Sequence, residues 1–312
     1  MSGLNVSLFG RLDICIGDRS IATLEKVKVQ ELLCYLLLHR HRIHTRESLA
    51  ALLWQDASPE QARCYLRKAL WQLQSALLAE DSLANHQLLT VEKVWIGINP
   101  VNGLWLDVAV VEEAYESCEG IRGDRLNEEQ VCHLKQAADV YKGDLLEGWY
   151  DDWCMYERER LQRMYLIILD KLVENCIACG EYEMGLSFGL RILEYDIAHE
   201  RTHRHLMRLY YLAGDRTKSL RQFEKCETLL QKELGVTPSR RTMALYDEIQ
   251  AEQMPSAIVD TSPFMNLASQ DTLDWLEHLH TDLCHLQRTV QQNIHTVEAI
   301  MAVQDRCKIC VE

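Results

Sequence analysis

The apolar residues of this chain keep two periods, and the places where one gives way to the other constrain the fold more than any other feature. Leu4, Val6 and Leu8 alternate with polar neighbours. After Gly10, Leu12, Ile14 and Ile16 do so again, and Gly17-Asp18 precedes a short Ser20-Ile21. Period two over short runs broken by glycine predicts an antiparallel meander. From about Val27 to Arg40 the spacing becomes helical, with Leu32, Leu33, Leu36 and Leu37 as the apolar stripe of a first helix. Thr45 is placed to cap a second, short helix carrying Leu49, Leu52 and Leu53, which Trp54 closes.

Ser58-Pro59-Glu60-Gln61 is the clearest helix start in the chain. Ser supplies a cap, Pro suits the first helical position, and Gln three residues after Ser completes a capping box. In the third helix that follows, Ala62, Leu66, Ala69, Leu70, Leu73 and Leu77 share one face. That turns Gln61, Cys64, Arg67, Lys68, Trp71 and Gln72 away from the core, where a helix enters a major groove. Leu88–Val91 and Val94–Ile98 flank Glu92-Lys93 as a hairpin, in the position of a wing.

Strands, three helices and a hairpin in this order resemble, over about residues 4–100, the DNA-binding domain of OmpR-type regulators in the variant that opens the streptomycete antibiotic regulatory proteins. The resemblance implies a winged helix-turn-helix whose third helix reads base edges near its start and touches phosphates along its length. It points to Gln61, Arg63, Arg67, Lys68 and Gln72, with Lys93 in the wing and Arg46 near the second helix as phosphate contacts. Taken alone, Arg63, Arg67 and Lys68 describe a solvated helix face; on the third helix of this array they describe a DNA surface. One departure is clear. The family places arginines late in this helix, where this chain has Trp71-Gln72-Leu73-Gln74. Fewer ionic phosphate contacts are expected, so the head should bind weakly as a monomer and gain from dimerisation. Arg40-His41-Arg42-Ile43-His44 is a basic loop, read as solvated and near enough to approach a backbone.

Beyond Trp105-Leu106-Asp107 the strand signal stops, and the pattern predicts an all-helical body. Gly180-Glu181-Tyr182 and Gly214-Asp215-Arg216 stand 34 residues apart, with Leu186 and Leu220 at the same offset. That is the period of tetratricopeptide repeats, whose hairpins bury their apolar faces only by stacking. Tyr141-Lys142-Gly143-Asp144-Leu145-Leu146, Asp151-Asp152-Trp153 leading to Glu157-Arg158-Glu159-Arg160-Leu161, and Glu233-Leu234-Gly235-Val236-Thr237-Pro238-Ser239 resemble, in that order, the bacterial transcriptional activation domain over about residues 107–250. In that family the domain follows the head directly and helps the regulator dimerise or engage RNA polymerase. Singly, these motifs are architecture: Gly143 and Gly235 end helices, Asp144 starts one, and Trp153 is core.

The formal charge of −14 looks wrong for a DNA binder until it is divided by position. Residues 1–105 carry 11 Lys and Arg against 10 Asp and Glu, and the rest carry 22 against 37. All the acidity lies behind the head, where repulsion from DNA would help orient it. The fold class expected is therefore mainly α, in four parts: residues 1–104 a winged helix-turn-helix with a small antiparallel sheet and wing hairpin, 105–253 tetratricopeptide-like repeats, 254–265 a linker, and 266–312 a C-terminal helix. In that last segment Leu276, Leu279, Leu283, Leu286, Val290, Asn293, Val297 and Ile300 alternate spacings of three and four. This is either a two-stranded coiled coil that makes the chain a homo-oligomer or a seam that packs back onto the repeats.

Other chemistry finds little support. His199-Glu200-Arg201-Thr202-His203 matches H-E-x-x-H, which in a zinc peptidase puts two imidazoles on one helical face beside a general base. Here it falls at the first turn of a repeat helix, where side chains should face solvent, and no third ligand follows. Cys307 and Cys310 have C-x-x-C spacing with no second ligand pair beside them, and twelve scattered cysteines fit reduced thiols. No Gly-rich phosphate loop with its Lys occurs. No apolar run approaches the roughly 18 residues of a bilayer span, and Met1–Gly10 lacks a leader, so a cytoplasmic location, no membrane and no cofactor are expected. The function expected is a DNA-binding transcription regulator, not an enzyme, with double-stranded DNA and RNA polymerase as partners. The alternative is a protein-interaction adaptor whose head no longer binds DNA.

Overall fold

A computed structural model of the chain describes residues 4–16, 19–20, 26–78, 88–99 and 104–252. The linker, the heptad seam from Leu276 to Ile300 and the Cys307/Cys310 pair lie outside these residues. Everything described falls within one compact unit, Met1–Ser256.

Strands β1 (Leu4–Ser7), β2 (Asp13–Ile16) and β3 (Arg19–Ser20) form the expected antiparallel meander, with Val6 opposite Ile14. Alternation puts Leu4, Val6, Ile14 and Ile16 into the core. Helices α1 (Val27–Leu38), α2 (Arg46–Leu53) and α3 (Pro59–Leu78) follow. Thr45 caps α2 by accepting from Ser48 N–H at 3.1 Å. Ser58 and Gln61 satisfy each other's backbone N–H at 3.4 Å in both directions, so the capping box that starts α3 is formed.

Two short strands depart from the expected pattern. The wing is a three-stranded sheet, because β4 (His44–Thr45) pairs antiparallel with β6 (Trp95–Ile98) on the side away from β5 (Leu89–Val91). The first sheet is mixed, because β7 (Leu104–Leu106) lies parallel to β1, with Val6 opposite Leu106. Strands of two and three residues are too short to write an alternation, which is why period counting passes over both.

Strand β7 runs directly into α4 (Asp107–Ser117), and the body continues through α5 (Glu128–Val140), α6 (Asp152–Cys179), α7 (Tyr182–Tyr195), α8 (Glu200–Leu212), α9 (Arg216–Leu234) and α10 (Arg240–Gln250). The 34-residue period is structural. Gly180 and Gly214 both take the left-handed conformation that ends the first helix of each hairpin, at φ +79° and +82°. Five residues on, the chain is small and buried in each repeat. A Cβ at Gly185 would come within 3.0 Å of Leu209 and Cys176 side chains, and Ser219 sits fully buried with its hydroxyl donated to Met207 O at 2.7 Å.

The head is joined to the body through backbone. Gly10 N–H donates to Asp144 O, Leu146 N–H to Leu8 O, and Glu147 N–H to Gly10 O, each at 2.8 Å. The buried Asp107 carboxylate accepts from Leu8 N–H at 2.7 Å and Phe9 N–H at 2.9 Å, and from Val108 N–H at 2.7 Å. Burial raises its pKa to about 6 against the opposing pull of those N–H donors. Asp144 starts no helix; it lies in the loop between α5 and α6, and its carbonyl holds the head. Arg158 threads the same loop, donating to the carbonyls of Leu145, Leu146 and Trp149 at 2.9–3.0 Å. Arg40 is not solvated: it pairs with Glu112 of α4 at 2.6 Å, and Arg160 of α6 takes the other Glu112 oxygen at 2.6 Å.

Candidate nucleic-acid interface

Helix α3 separates its residues by face as its period demands. Ala62, Leu66, Ala69, Leu70, Leu73 and Leu77 are each 7% exposed or less, packed into the core. Gln61, Arg63, Cys64, Arg67, Lys68 and Trp71 are exposed, and Gln72 is half-buried. Glu60 is the acidic residue of the first turn, where it complements the helix dipole. Neither Arg67 nor Lys68 is held by another side chain among the described residues. Arg63 folds back, its Nε donating to Pro59 O at 3.1 Å, which leaves the guanidinium beside the start of the helix.

The wing is anchored to α2 through Arg46. Its backbone N–H donates to Val94 O at 3.0 Å and its Nε to Glu92 O at 3.0 Å, so the half-buried side chain braces the turn that carries Lys93. Lys93 itself is exposed. Part of the hydrogen bonding of Arg46 therefore holds the wing in place. The pairing of β4 with β6 makes this possible, and no spacing rule encodes it.

Sequence reasoning put Trp71 on the outward face without a role and passed over Lys26. The fold brings them together along an open groove between the start of α1 and the second half of α3, because α1 packs across α3. It also passed over a second C-x-x-C pair, Cys176 and Cys179 at the end of α6. Cys176 is buried and its thiol is pushed up to about 11 by that burial, so it is a packing residue, not a reactive thiolate.

The H-E-x-x-H residues do not form a ligand set. His199 is the cap residue before α8, with non-helical backbone, and its Nδ1 lies 2.7 Å from Thr202 Oγ1. His203 does not face solvent: it is 1% exposed. Ile197 O can only accept, so at 2.9 Å it fixes the His203 proton on Nε2, and Nδ1 then accepts from Gln222 Nε2 of α9 at 2.8 Å. Both ring nitrogens are occupied, and burial holds the imidazole below its ordinary pKa. Glu200 accepts from Ser239 N–H at 2.8 Å and from the Thr242 hydroxyl, tying α8 to the start of α10. No group of three or more His, Cys, Asp or Glu placed to hold a metal occurs among the described residues. Among them, too, no helix is long and apolar enough to cross a membrane.

Residues 106–250 match the bacterial transcriptional activator domain family. The transcriptional regulatory protein MoaR1 of Mycobacterium tuberculosis is 23% identical over 231 residues, 73% of each chain. The regulatory protein AfsR of Streptomyces coelicolor is 25% identical over 213 residues, which are 66% of this chain and 20% of that much longer one. Among solved structures, Mycobacterium tuberculosis EmbR, in complex with a low-affinity phosphopeptide, superposes with a TM-score of 0.67 at 21% identity, covering 82% of this chain and 67% of that one, and so shares the fold. With a winged helix-turn-helix joined through β7 to a domain that matches the bacterial transcriptional activator family, the chain is similar to transcription regulators of the streptomycete antibiotic regulatory protein type.

Proposed function

We propose that this regulator reads promoter DNA with the outer face of α3. In this reading Gln61, Arg67, Lys68 and Gln72 enter the major groove, Arg63 meets a phosphate at its edge, and Lys93 with Arg46 lays the wing on the neighbouring backbone. The observation that carries it is the exposure of Arg67 and Lys68, which the fold leaves without an internal role while the opposite face of the same helix supplies the core. The repeat body, acidic and repelled by DNA, would take the contact with RNA polymerase, and the chain would act in the cytoplasm as an activator and a homo-oligomer. No enzymatic step enters this reading.

Genomic footprinting of the full chain tests it. Protection of a promoter that weakens steeply with salt is expected, and the spacing of protected half-sites reports the oligomer. Absence of protection at any promoter, with capture of a protein partner unaffected by charge reversal at Arg67 and Lys68, would overturn it in favour of the adaptor reading, which the acidity of the body favours.

A further inference from the structure

Trp71 is the largest apolar side chain left in water on α3, at 67% exposure. It stands one turn beyond Arg67 and Lys68 on the outward face, and beside it runs a groove of about 300 Å³ lined by Lys26, Val29, Trp71, Gln72, Ser75 and Ala76. Buried Val29 and Ala76 make an apolar floor. The rim carries one cation, the exposed Lys26, and the polar Gln72 and Ser75. Among the described residues no carboxylate lines it. A second groove, about 520 Å³ between the end of α2 and the start of α6, is lined by Asp56, Asp151 and Asp152 against a single cation, Lys28, and so disfavours phosphate.

The lining helps to select the occupant: an apolar floor with the exposed Lys26 at its rim suits a nucleic-acid strand, which offers alternating apolar sugar faces and single negative charges. An indole matches both, with a flat apolar face and one N–H donor.

We propose that this groove seats one sugar–phosphate strand of duplex DNA, with the Lys26 ammonium on a phosphate and the Trp71 indole against the adjoining sugar. The inference rests on α3 being the DNA-reading helix and extends that interface onto α1. It also gives a purpose to the departure at this point of the helix: where the family resemblance leads one to expect late arginines, Trp71 and Lys26 supply one apolar and one ionic contact in their place.

The test uses the full chain and its Trp71→Ala, Trp71→Phe, Lys26→Ala and Arg67→Glu/Lys68→Glu variants. Anisotropy titrations over a range of salt employ two probes, a mixed-sequence duplex of about 30 base pairs and a duplex selected from a random library by the unmodified protein. Backbone contacts act on both probes alike. Trp71→Ala is expected to weaken both by about tenfold with an unchanged salt slope, since no charge is lost, and Trp71→Phe to stay within about threefold. Lys26→Ala is expected to lower the salt slope by about 1. Thermal melts check that these exposed substitutions leave folding intact. If either Trp71→Ala or Lys26→Ala binds both probes within about twofold of the parent, with the salt slope unchanged, while the charge reversal abolishes binding, the groove is not a DNA seat although α3 still reads DNA. If the charge reversal binds as the parent does, the α3 reading itself fails. If Trp71→Ala turns a dimer into a monomer in sedimentation and leaves each protomer's DNA affinity unchanged, the groove belongs to a second copy and the proposal is overturned.

Discussion

Two helices carry motifs that suggest chemistry, and the fold treats them oppositely. On α8 the His and Glu residues of H-E-x-x-H each have an internal partner: Thr202 for His199, Ser239 and Thr242 for Glu200, Ile197 and Gln222 for His203. On α3, Arg67 and Lys68 project into water from a helix whose other face is core. The lesson is that a motif is available for function only if packing has not already consumed its donors and acceptors. Residue identity is the same kind of information in both helices; the neighbours decide.

That contrast can be broken experimentally. The largest effect is expected on DNA binding: Arg67→Glu with Lys68→Glu should reduce affinity by at least about a hundredfold at low salt, read by anisotropy, with the melting temperature unchanged. His203→Ala should do the reverse. It leaves Gln222 and the Ile197 carbonyl unpaired in a cavity and should cost about 2–4 kcal/mol by urea denaturation, with no change in zinc content by elemental analysis. A variant that lost bound zinc and kept its stability would reverse the assignment of α8.

Smaller effects sharpen the picture. Asp107→Asn should flatten one component of the stability–pH curve. The carboxyl titrates near 6 in the folded chain and near 3.8 when unfolded, so between those values the folded form binds more protons. Stability of the parent should therefore fall as pH rises from about 4 to about 6, a component missing from the variant in paired denaturation curves. The smallest effect is expected for Arg46→Ala, which should loosen the wing and lower the salt slope by about 1 or less, with a loss of affinity of only a few-fold.

Much of this was legible in the residues. The capping box at Ser58 and the six-residue stripe of α3 are local signals, and so is the glycine pair at 34-residue spacing. What escaped depends on distant partners. β4 and β7 are too short to write a period, and their existence rests on β6 and β1. His203 was expected in solvent because a helix's first turn is often exposed, but α9 lies across it and brings Gln222. Arg40 was expected in a solvated loop, and Glu112, 72 residues away, claims it. For the interface, the outward face of α3 was readable, while the link from Arg46 to the wing and the meeting of Lys26 with Trp71 arise only when helices and strands cross.

The peptide groups of residues 8–10 are held on one side by Asp107 and on the other by residues 144–147. That seam governs how such chains can be recombined. A head cut cleanly after residue 104 and grafted to a foreign body would arrive with a torn edge strand and two backbone donors stripped of their acceptor. Heads and bodies of this architecture are exchangeable only if the stitching between them, from β7 through Arg158, travels as part of the graft.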